Sequence, residues 1–350
     1  MTFAAFARHL VFCAGLAMVS ALMVLAMISA RVMDVPDPRK AHARPTPKGG
    51  GVGIVVAFLL GLAVLYGYAS FARLAEPYFR GFILGAALIA AVSYLDDVFD
   101  WPFLVKLATQ LAAAVAVIAS GLYLSTVNLP GTGSVELGWL GIAATLLWIV
   151  FATNAMNFID GLDGLAGGTA LVACGFLALV ARLQGGVFVY AAAMLLGAGL
   201  VGFLPFNFPR ARIFLGDVGS QFCGYVLAVL GVAAARFDAA ALSFLLVPML
   251  LSGVLFDVAF TLVRRVLTGH SITQAHRSHL YQIAHRSGMD ARAVAVVHWG
   301  FAAFGGLVAL AFTAASSQWK PLWPPLVLLP QLVWLAYVVK RARRADIGAW

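Results

Sequence analysis

Charged side chains are scarce in this chain of 350 residues. Only 11% of the residues are Asp, Glu, Lys or Arg, whereas 63% are hydrophobic and the mean hydropathy is +0.96. An ordinary soluble protein carries about 25% charged residues. The shortage of charge therefore excludes a soluble globular protein and a disordered chain, and it predicts an integral membrane protein.

Cysteine is scarcer still. Cys13, Cys174 and Cys223 each lie alone within an apolar run, and no pair has the C-x-x-C spacing of a zinc or redox site. We interpret them as small core residues. Internal repeats and low-complexity tracts are also lacking, and the length leaves no room for a separate soluble domain. Residues 1–350 are therefore predicted to form one polytopic membrane domain.

Long apolar runs fill most of the sequence, and a membrane-spanning helix needs about 20 such residues. The first run is longer than the apolar core of a secretory signal, so we interpret it as the first span. One kinked helix around Gly185 would reduce the count by one. We predict an all-α protein of about 10–11 spans, at residues 10–30, 50–68, 80–95, 104–123, 137–154, 165–183, 188–204, 214–234, 241–263, 293–316 and 322–340.

The 23 basic residues exceed the 14 acidic ones and give a net charge of +9. Because cytoplasmic loops of membrane proteins collect Lys and Arg, this excess indicates topology rather than nucleic-acid binding. With an external N-terminus, 17 basic residues fall on the internal side and 6 on the external side. The distribution predicts an N-terminus outside the cell and a cytoplasmic C-terminus.

Four polar clusters interrupt the apolar runs, and this topology places all of them on the cytoplasmic side. The first contains Asp96, Asp97 and Asp100 in the segment DDVFD, with Lys106 shortly after it. Adjacent carboxylates repel one another unless a cation is present. The cluster suits metal binding or proton abstraction, and a solvated helix end is the alternative.

In the second cluster, NAMNFIDGLDGLAGG, polar residues recur at every third position, namely Asn154, Asn157, Asp160 and Asp163. Three-residue steps do not form one stripe on an α-helix. The helix must therefore either tighten locally or break at Gly161 and Gly164, and we expect a broken end that faces a water-filled cavity. Amide and carboxylate oxygens are ligands that Mg²⁺ accepts, whereas helix capping and pairing with Arg are the structural alternatives.

The third cluster is RIFLGDVGS, which contains Asp217 and Phe214. Gly219 and Ser220 after the acid predict a close approach of the backbone to something bulky. A helix that begins here would attract phosphate at its N-terminus. The ring of Phe214 could stack on a flat base.

The fourth cluster, in the longest internal loop, contains His276, Arg277 and His279. Densely packed His, Arg and Ser indicate a pocket for phosphate or pyrophosphate. Zinc is the alternative, although two His three apart without Cys or a nearby acid make a poor tetrahedral site. A fifth segment, the basic loop of residues 34–51 with Lys48, suits either anion binding or membrane anchoring.

Six of the 14 acids thus belong to three short motifs at one membrane face. Ionisable residues at membrane depth are costly and by default mark function. Acids for a divalent metal, basic loops for phosphates and a bilayer-embedded body together predict a reaction between a soluble phosphorylated donor and a lipid.

The motifs DDVFD, NAMNFIDGLDGLAGG, FLGDVGS and AHRSHLYQ, preceded by RKAHARPTPKGG, occur in an order that resembles the polyprenyl-phosphate N-acetylhexosamine-1-phosphate transferases. These enzymes form glycosyltransferase family 4, in the superfamily of translocase I, and the resemblance covers Asp34 to Gln282. It implies a bacterial inner-membrane enzyme that uses Mg²⁺, with Mn²⁺ as an alternative. Sugar 1-phosphate would pass from a UDP-N-acetylhexosamine to undecaprenyl phosphate with release of UMP, and a homodimer would fit.

The resemblance also implies site residues. Two metal ligands are implied, Asn157 and Asp217. The acidic pair, of which one member deprotonates or orients the lipid phosphate, would be Asp96 and Asp97. The implied substrate-binding residues are Lys106 for the lipid phosphate, Phe214 for uracil, His276, Arg277 and His279 for the donor's phosphates and sugar, Asp160 and Asp163 for the shape of the nucleotide pocket, and Lys48 and Asn154.

The late loop AHRSHLYQ is similar to the branch that starts O-antigen, capsule or teichoic-acid-type glycans. The alternatives are a phospho-muramyl-pentapeptide transferase and a lipid or solute transporter. A transporter would carry polar residues along a path to both faces, whereas here the acids lie at one face. For the mechanism of transfer, the sequence is compatible with direct displacement at phosphorus and with a covalent phospho-enzyme intermediate.

Overall fold

The structure is a computed structural model that describes residues 3–36, 44–68, 76–129, 133–236, 242–271 and 276–347. Arg39, Lys40 and His42 of the predicted basic loop lie outside these ranges. The described helices are α1 (Phe3–Ala30), α2 (Gly51–Tyr68), α3 (Glu76–Phe99), α4 (Phe103–Ala119), α5 (Trp139–Phe158), α6 (Leu165–Gln184), α7 (Val187–Asn207), α8 (Gly216–Arg236), α9 (Leu246–Leu250), α10 (Ser252–Leu267), α11 (Leu280–Arg286), α12 (Ala291–Ala314), α13 (Trp323–Leu326) and α14 (Leu328–Arg344), with a 3₁₀ turn at Lys320–Leu322.

Nine helical segments within the described ranges are long and apolar enough to cross a membrane. Helix α4 is a shorter apolar helix of 17 residues. Because every backbone N–H and C=O must be satisfied inside a bilayer, apolar runs of this length form helices. The structure confirms the predicted all-α integral membrane protein.

Helix α8 is the centre of the bundle, and 94% of its most apolar stretch of 18 residues is buried. It packs against α2, α3, α5 and α7. In α1 and in the C-terminal segment Lys320–Arg344, only 22% of the corresponding stretch is buried. At the start of α8, Gly219 touches α2: a Cβ on Gly51 would lie 2.2 Å from the Cα of Gly219. The close approach predicted at Gly219 is therefore to another backbone, not to a ligand.

Two predicted spans are interrupted. The range 241–263, whose first residue lies outside the described part, contains α9 and α10 separated at Leu251. Both pieces are apolar, so hydropathy does not show the break. The range 322–340 contains α13 and α14, which are separated at Val327 but together with the 3₁₀ turn form one candidate span, Lys320–Arg344. Gly185 has a φ of +80° and ends α6, so the segments on either side of it are separate helices.

Two short antiparallel strand pairs join the helices. Strands β1 (Met33–Asp34) and β2 (Thr46–Pro47) precede α2. Strands β3 (Thr126–Leu129) and β4 (Gly133–Glu136) form a hairpin between α4 and α5.

Candidate functional site

A cavity of about 550 Å³ opens at one end of the bundle, which we call the site end. It is formed by the last turns of α3 and α5, the first turns of α4 and α8, and the loops around them. The structure brings ten of the thirteen predicted site residues into its wall, namely Lys48, Asp96, Asp97, Lys106, Asn157, Asp160, Asp163, Phe214, Asp217 and Arg277. Four separate sequence motifs and the loop before α2 therefore share one site.

Lys106 lies in the first turn of α4 and joins two acidic motifs. Its Nζ is 2.7 Å from Oδ2 of Asp96 and 2.8 Å from Oδ2 of Asp217. The remaining oxygen of Asp96 accepts a hydrogen bond from the backbone N–H of Trp101 at 2.9 Å. One ammonium thus lies between two carboxylates and offsets part of the repulsion between them inside the protein.

Asp97 has a different role from its neighbour, because both of its oxygens hold the start of α8. The backbone N–H of Asp217 donates to Oδ1 at 3.2 Å and that of Val218 to Oδ2 at 3.1 Å. These are orphan donors of the first helical turn, which favour an anion. The helix N-terminus predicted to attract phosphate is therefore already capped by a carboxylate of the protein.

Gly216 permits this contact. Its φ is +75°, and a Cβ at this position would lie 2.6 Å from Oδ2 of Asp97. An L side chain would be strained by the backbone conformation and would also displace the carboxylate. The Gly-Asp sequence of the third motif is thus explained by the cap as well as by the acid.

Two amides complete the surroundings of Asp217. Nδ2 of Asn157 is 3.3 Å and Nε2 of Gln221 is 3.2 Å from Oδ2 of Asp217. No group of three His, Cys, Asp or Glu side chains in the described ranges has the arrangement of a metal site. Mg²⁺ usually binds through one or two carboxylates, waters and substrate phosphates. Asp217 and Asn157 fit this open mode of binding, at a place that already attracts a cation.

The second motif breaks as expected. Helix α5 ends at Phe158 and α6 begins at Leu165, and Gly164 between them has a φ of +73°. Asp163 ties this loop to the stretch before α8, because its Oδ2 accepts from the backbone N–H of Ala211 at 2.9 Å. Burial and then the carboxylates of Asp217, Asp97 and Asp163 raise the pKa of Asp160 well above its usual value.

The backbone of Phe214 is held by hydrogen bonds on both sides. Its N–H donates to the carbonyl of Pro47 at 2.8 Å, and its carbonyl accepts from Gly50 at 2.9 Å. Lys48 lies between Pro47 and Gly50 in the sequence, and its Nζ is 3.7 Å from Oδ1 of Asp97. The loop before α2 therefore places the ammonium group of Lys48 in the wall of the cavity and fixes the backbone of Phe214 in the same wall.

Three predicted substrate-binding residues do not line the cavity. Asn154 faces Gln110, whose Nε2 lies 3.3 Å from its Oδ1 and 2.9 Å from Oε1 of Gln221. It thus belongs to an amide network one helical turn before Asn157. His276 and His279 lie beside the cavity, with their rings stacked at 5.0 Å between centroids.

The loop that carries these histidines is held by hydrogen bonds. Oγ of Ser278 lies 3.0 Å from Nδ1 of His276, and Arg264 donates to the carbonyl of Ser278 at 3.2 Å. Burial, followed by the positive charges of His279, Arg265 and Arg264, lowers the pKa of His276 to about 4. A neutral imidazole at this position can offer a phosphate a hydrogen bond rather than a positive charge.

The sequence patterns missed several residues of the site. Gln282 and His285 of α11 line the cavity, and so does Asn207, which accepts from the N–H of Gly164 at 2.7 Å and donates to the carbonyl of Ile213 at 3.0 Å. Asp257 lies in α10 and binds His279. A lone Asp in an apolar run was a usable signal for Asp257. The sequence context of Asn207 offers no such signal.

The helices and the charged cavity define a multi-pass membrane protein with a polar site at one end of its bundle. Residues 79–235 match the model of a family described as glycosyl transferase family 4. The chain is 32% identical over 262 residues to a probable undecaprenyl-phosphate N-acetylglucosaminyl 1-phosphate transferase of Bacillus subtilis, with 74% of this chain and 71% of the relative covered.

Two further relatives align over more of the chain. Identity to a decaprenyl-phosphate N-acetylglucosaminephosphotransferase of Mycobacterium tuberculosis is 33%, over 82% of this chain and 78% of the relative. For an undecaprenyl-phosphate alpha-N-acetylglucosaminyl 1-phosphate transferase of Escherichia coli it is 26%, over 89% and 84%. The chain belongs to glycosyl transferase family 4, among the polyprenyl-phosphate N-acetylhexosamine-1-phosphate transferases.

Proposed function

We propose that the protein transfers an N-acetylhexosamine 1-phosphate from a UDP-sugar to undecaprenyl phosphate and releases UMP. The names of the relatives favour N-acetylglucosamine as the sugar. The observation that carries the proposal is the cavity in which Lys48, Lys106, Asp96, Asp217 and Phe214 converge. Two lysines, acidic side chains and an aromatic ring at the end of a membrane bundle suit a phosphorylated lipid and a nucleotide.

Asp217 and Asn157 would hold Mg²⁺. When bound, the ion supplies positive charge that offsets the repulsion between a lipid phosphate and a nucleotide diphosphate. Lys106 contributes a second positive charge, since its ammonium already lies between Asp96 and Asp217. The donor set is all oxygen, as this metal prefers.

The reaction is a displacement at the phosphorus that carries the sugar. An oxygen of the lipid phosphate forms a bond to this phosphorus, and the bond from it to the oxygen shared with UMP breaks. UMP leaves with that oxygen. The bond between sugar and phosphate oxygen stays intact, so the anomeric configuration is retained. The protein contributes position and charge, which dominate catalysis of phosphoryl transfer.

Asp96 and Asp97 have different roles in this proposal. Both oxygens of Asp97 are used by the N-terminus of α8, and its task is to hold Asp217 in place. Asp96 presents an oxygen to Lys106 at the cavity wall. Asp96 therefore orients the lipid phosphate together with Lys106, and takes the proton when that phosphate enters as a monoanion.

The donor would bind beside Phe214 and Arg277 in the same cavity. Phe214 offers an aromatic face to uracil, and Arg277 supplies bidentate donors to the donor's phosphates. Asp160 and Asp163 also line this cavity. By the distribution of basic residues, the site end is cytoplasmic and the N-terminus external, where a soluble UDP-sugar and an inner-leaflet lipid would meet.

The test uses the purified full-length protein in detergent with undecaprenyl phosphate, Mg²⁺ and a panel of UDP-N-acetylhexosamines that includes UDP-N-acetylglucosamine and UDP-muramyl-pentapeptide. We expect UMP release with at least one donor and formation of a lipid-linked sugar pyrophosphate. Asp217→Ala should abolish both products, because it removes the metal ligand at the start of α8. A folded wild-type protein that releases no UMP with any donor would contradict the proposal.

A matched control is Asp290→Ala, because Asp290 is an exposed helix-capping carboxylate outside the cavity wall. It should keep wild-type turnover. Omission of divalent metal should also stop turnover, and Mn²⁺ should restore part of it. If the wild-type protein is equally active in a chelator, the assignment of a metal to Asp217 and Asn157 is wrong.

A further inference from the structure

Asp257 is a buried carboxylate in α10 that the proposed chemistry does not use. Its side chain is 1% exposed, and the residues around it in the sequence are mostly apolar. We propose that Asp257 is a positioning residue, which holds His279 and the start of α11 and so sets the wall of the cavity that faces the UDP-sugar. This inference rests on the proposed transferase function.

Four donors converge on this one carboxylate. Oδ1 lies 3.0 Å from Nδ1 of His279 and accepts from the N–H of Leu280 at 3.0 Å and from Thr261 at 3.3 Å. Oδ2 accepts from the N–H of Tyr281 at 2.9 Å. A carboxylate has about four acceptor sites, so Asp257 is saturated by the protein. Its four described hydrogen bonds all come from the protein, and it does not line the cavity in which metal and substrate would bind.

The cost of the arrangement indicates that it has a purpose. An ionisable residue in an apolar helix is expensive unless it is fully paired. Asp257 offsets the cost by capping α11 across space, because two of its donors are backbone amides from the first turn of that helix. Helix α11 has only seven residues and would be marginal without an external partner.

Asp257 also determines which ring nitrogen of His279 carries a proton. A carboxylate only accepts hydrogen bonds, so Nδ1 of His279 carries the proton in this contact. The ring of His279 is stacked on His276 and Tyr281 and is nearly buried. His279 therefore positions the loop rather than contacting the donor, which differs from the role that the family resemblance implies.

Two routes connect this cap to the cavity. Arg277, two residues before His279, and Gln282, two residues after Leu280, both line the wall. In the second route, the hydroxyl of Tyr281 donates to the carbonyl of Phe158 at the end of α5 at 3.0 Å.

The same hydroxyl packs against the broken loop between α5 and α6. A Cβ on Gly161 would lie 2.2 Å from the oxygen of Tyr281. Gly161 follows Asp160 in the cavity wall. A shift of α11 would therefore move Arg277 and the loop that carries Asp160 together.

The test is Asp257→Asn in the full-length protein. The amide replaces one acceptor oxygen by a donor, so it opposes at least one of the present donors. We expect KM for the UDP-sugar to rise about tenfold or more, the size of effect expected when a hydrogen bond to a charged group is lost. KM for undecaprenyl phosphate should stay within about twofold, since the described polar contacts of Lys106 and Asp96 are with each other, Asp217 and Trp101, and none is with α11 or its loop.

The matched control is Asp290→Asn. Asp290 caps the next helix, α12, by accepting from the N–H of Arg292 at 2.8 Å, but it is exposed and lies outside the cavity wall. The control should leave both KM values at the wild-type level. If Asp257→Asn behaves like the control, or lowers only kcat in proportion to its folded fraction, Asp257 is merely structural and the proposal is wrong.

A second readout does not depend on turnover. Backbone hydrogen exchange of α11 and of residues 276–279 should be faster in Asp257→Asn than in Asp290→Asn, with exchange in α3 and α8 unchanged. If the wild-type protein transfers no sugar phosphate, the proposed function fails while this measurement still tests the cap. Unchanged exchange in α11 would overturn the cap itself.

His279→Gln breaks the same contact from the other side, and it serves if Asp257→Asn does not fold. It should also raise KM for the UDP-sugar, and the double variant should be no worse than the more affected single variant, because both remove one shared contact. Fully additive effects of the two changes would show that His279 acts independently of Asp257, which would overturn the proposal.

Discussion

At two of the helices that begin beside the cavity, the first turn is held by a carboxylate from a different helix. Asp97 of α3 accepts two backbone amides at the start of α8, and Asp257 of α10 accepts two at the start of α11. Helix α8 carries Asp217, the proposed metal ligand, in its capped turn, whereas α11 carries residues of the cavity wall. The same arrangement thus holds the proposed metal site in one place and the proposed donor pocket in the other.

The difference between the two caps lies in their neighbours. Asp97 has Asp96 beside it and Lys48 near it. The helix cap and the charged groups of the proposed reaction therefore lie side by side. Asp257 binds only donors that belong to the histidine loop, α11 and its own helix. A change at Asp97 should therefore affect stability and turnover together, and a change at Asp257 should affect donor binding.

The largest expected effect separates Asp97 from its neighbour. Asp96→Asn should lower kcat by about 10²-fold to 10⁴-fold, the contribution typical of a positioned acid or base, with little change in thermal stability. Asp97→Asn should also lower kcat, and in addition should reduce the free energy of unfolding by about 1–2 kcal/mol, because a helix cap is weakened. Turnover and thermal unfolding in detergent measure both.

The two results sharpen the comparison between the caps. If Asp96→Asn is as destabilised as Asp97→Asn, the division of roles within the acidic pair is wrong. If Asp97→Asn keeps wild-type stability, the start of α8 does not depend on its cap.

A smaller effect is expected at Gly216. Gly216→Ala adds backbone strain of about 1–2 kcal/mol at a φ of +75° and places a methyl group against Asp97. Gly138→Ala is the matched control, because Gly138 has a φ of +52° with nothing within 4 Å of the added Cβ. Both variants should unfold at lower temperature, but only Gly216→Ala should lose turnover. Equal turnover in the two would show that Asp217 tolerates a displaced cap.

The smallest effect concerns pH and the second cap. The pKa of His276 falls from 6.5 to about 4 in the folded protein, mainly through burial. Because the unfolded chain binds this proton first, stability that is present above pH 6.5 is lost as the pH falls toward 4. His276→Gln should lose less stability over this interval in thermal unfolding measurements. Parallel curves for both proteins would exclude His276 as the titrating group.

The sequence predicted the helices well because each reports its own environment. A run of about 20 apolar residues has few alternatives to a spanning helix in a bilayer. The break at Gly164 was likewise predicted from polar residues at three-residue steps, which do not fit a regular helix. The break at Leu251 was not, because the pieces on both sides are equally apolar.

The roles of individual site residues were harder to predict. Asp96 and Asp97 are the same residue type, and only the hydrogen-bond and ion-pair partners of their carboxylate oxygens distinguish them. His279 resembles a substrate ligand by motif, yet it binds Asp257, 22 positions earlier in the chain. Such pairings depend on how helices are placed beside one another, which hydropathy does not encode.

The sequence by itself determined that this is an all-α membrane protein, which residues are polar at one face, and which family it resembles, since composition and ordered motifs are local properties. Only the tertiary structure decided that Lys106 lies between Asp96 and Asp217, that Asp97 caps α8 and that Asp257 caps α11. The physical reason is that a carboxylate's function depends on its partners, and in this fold those partners come from distant helices.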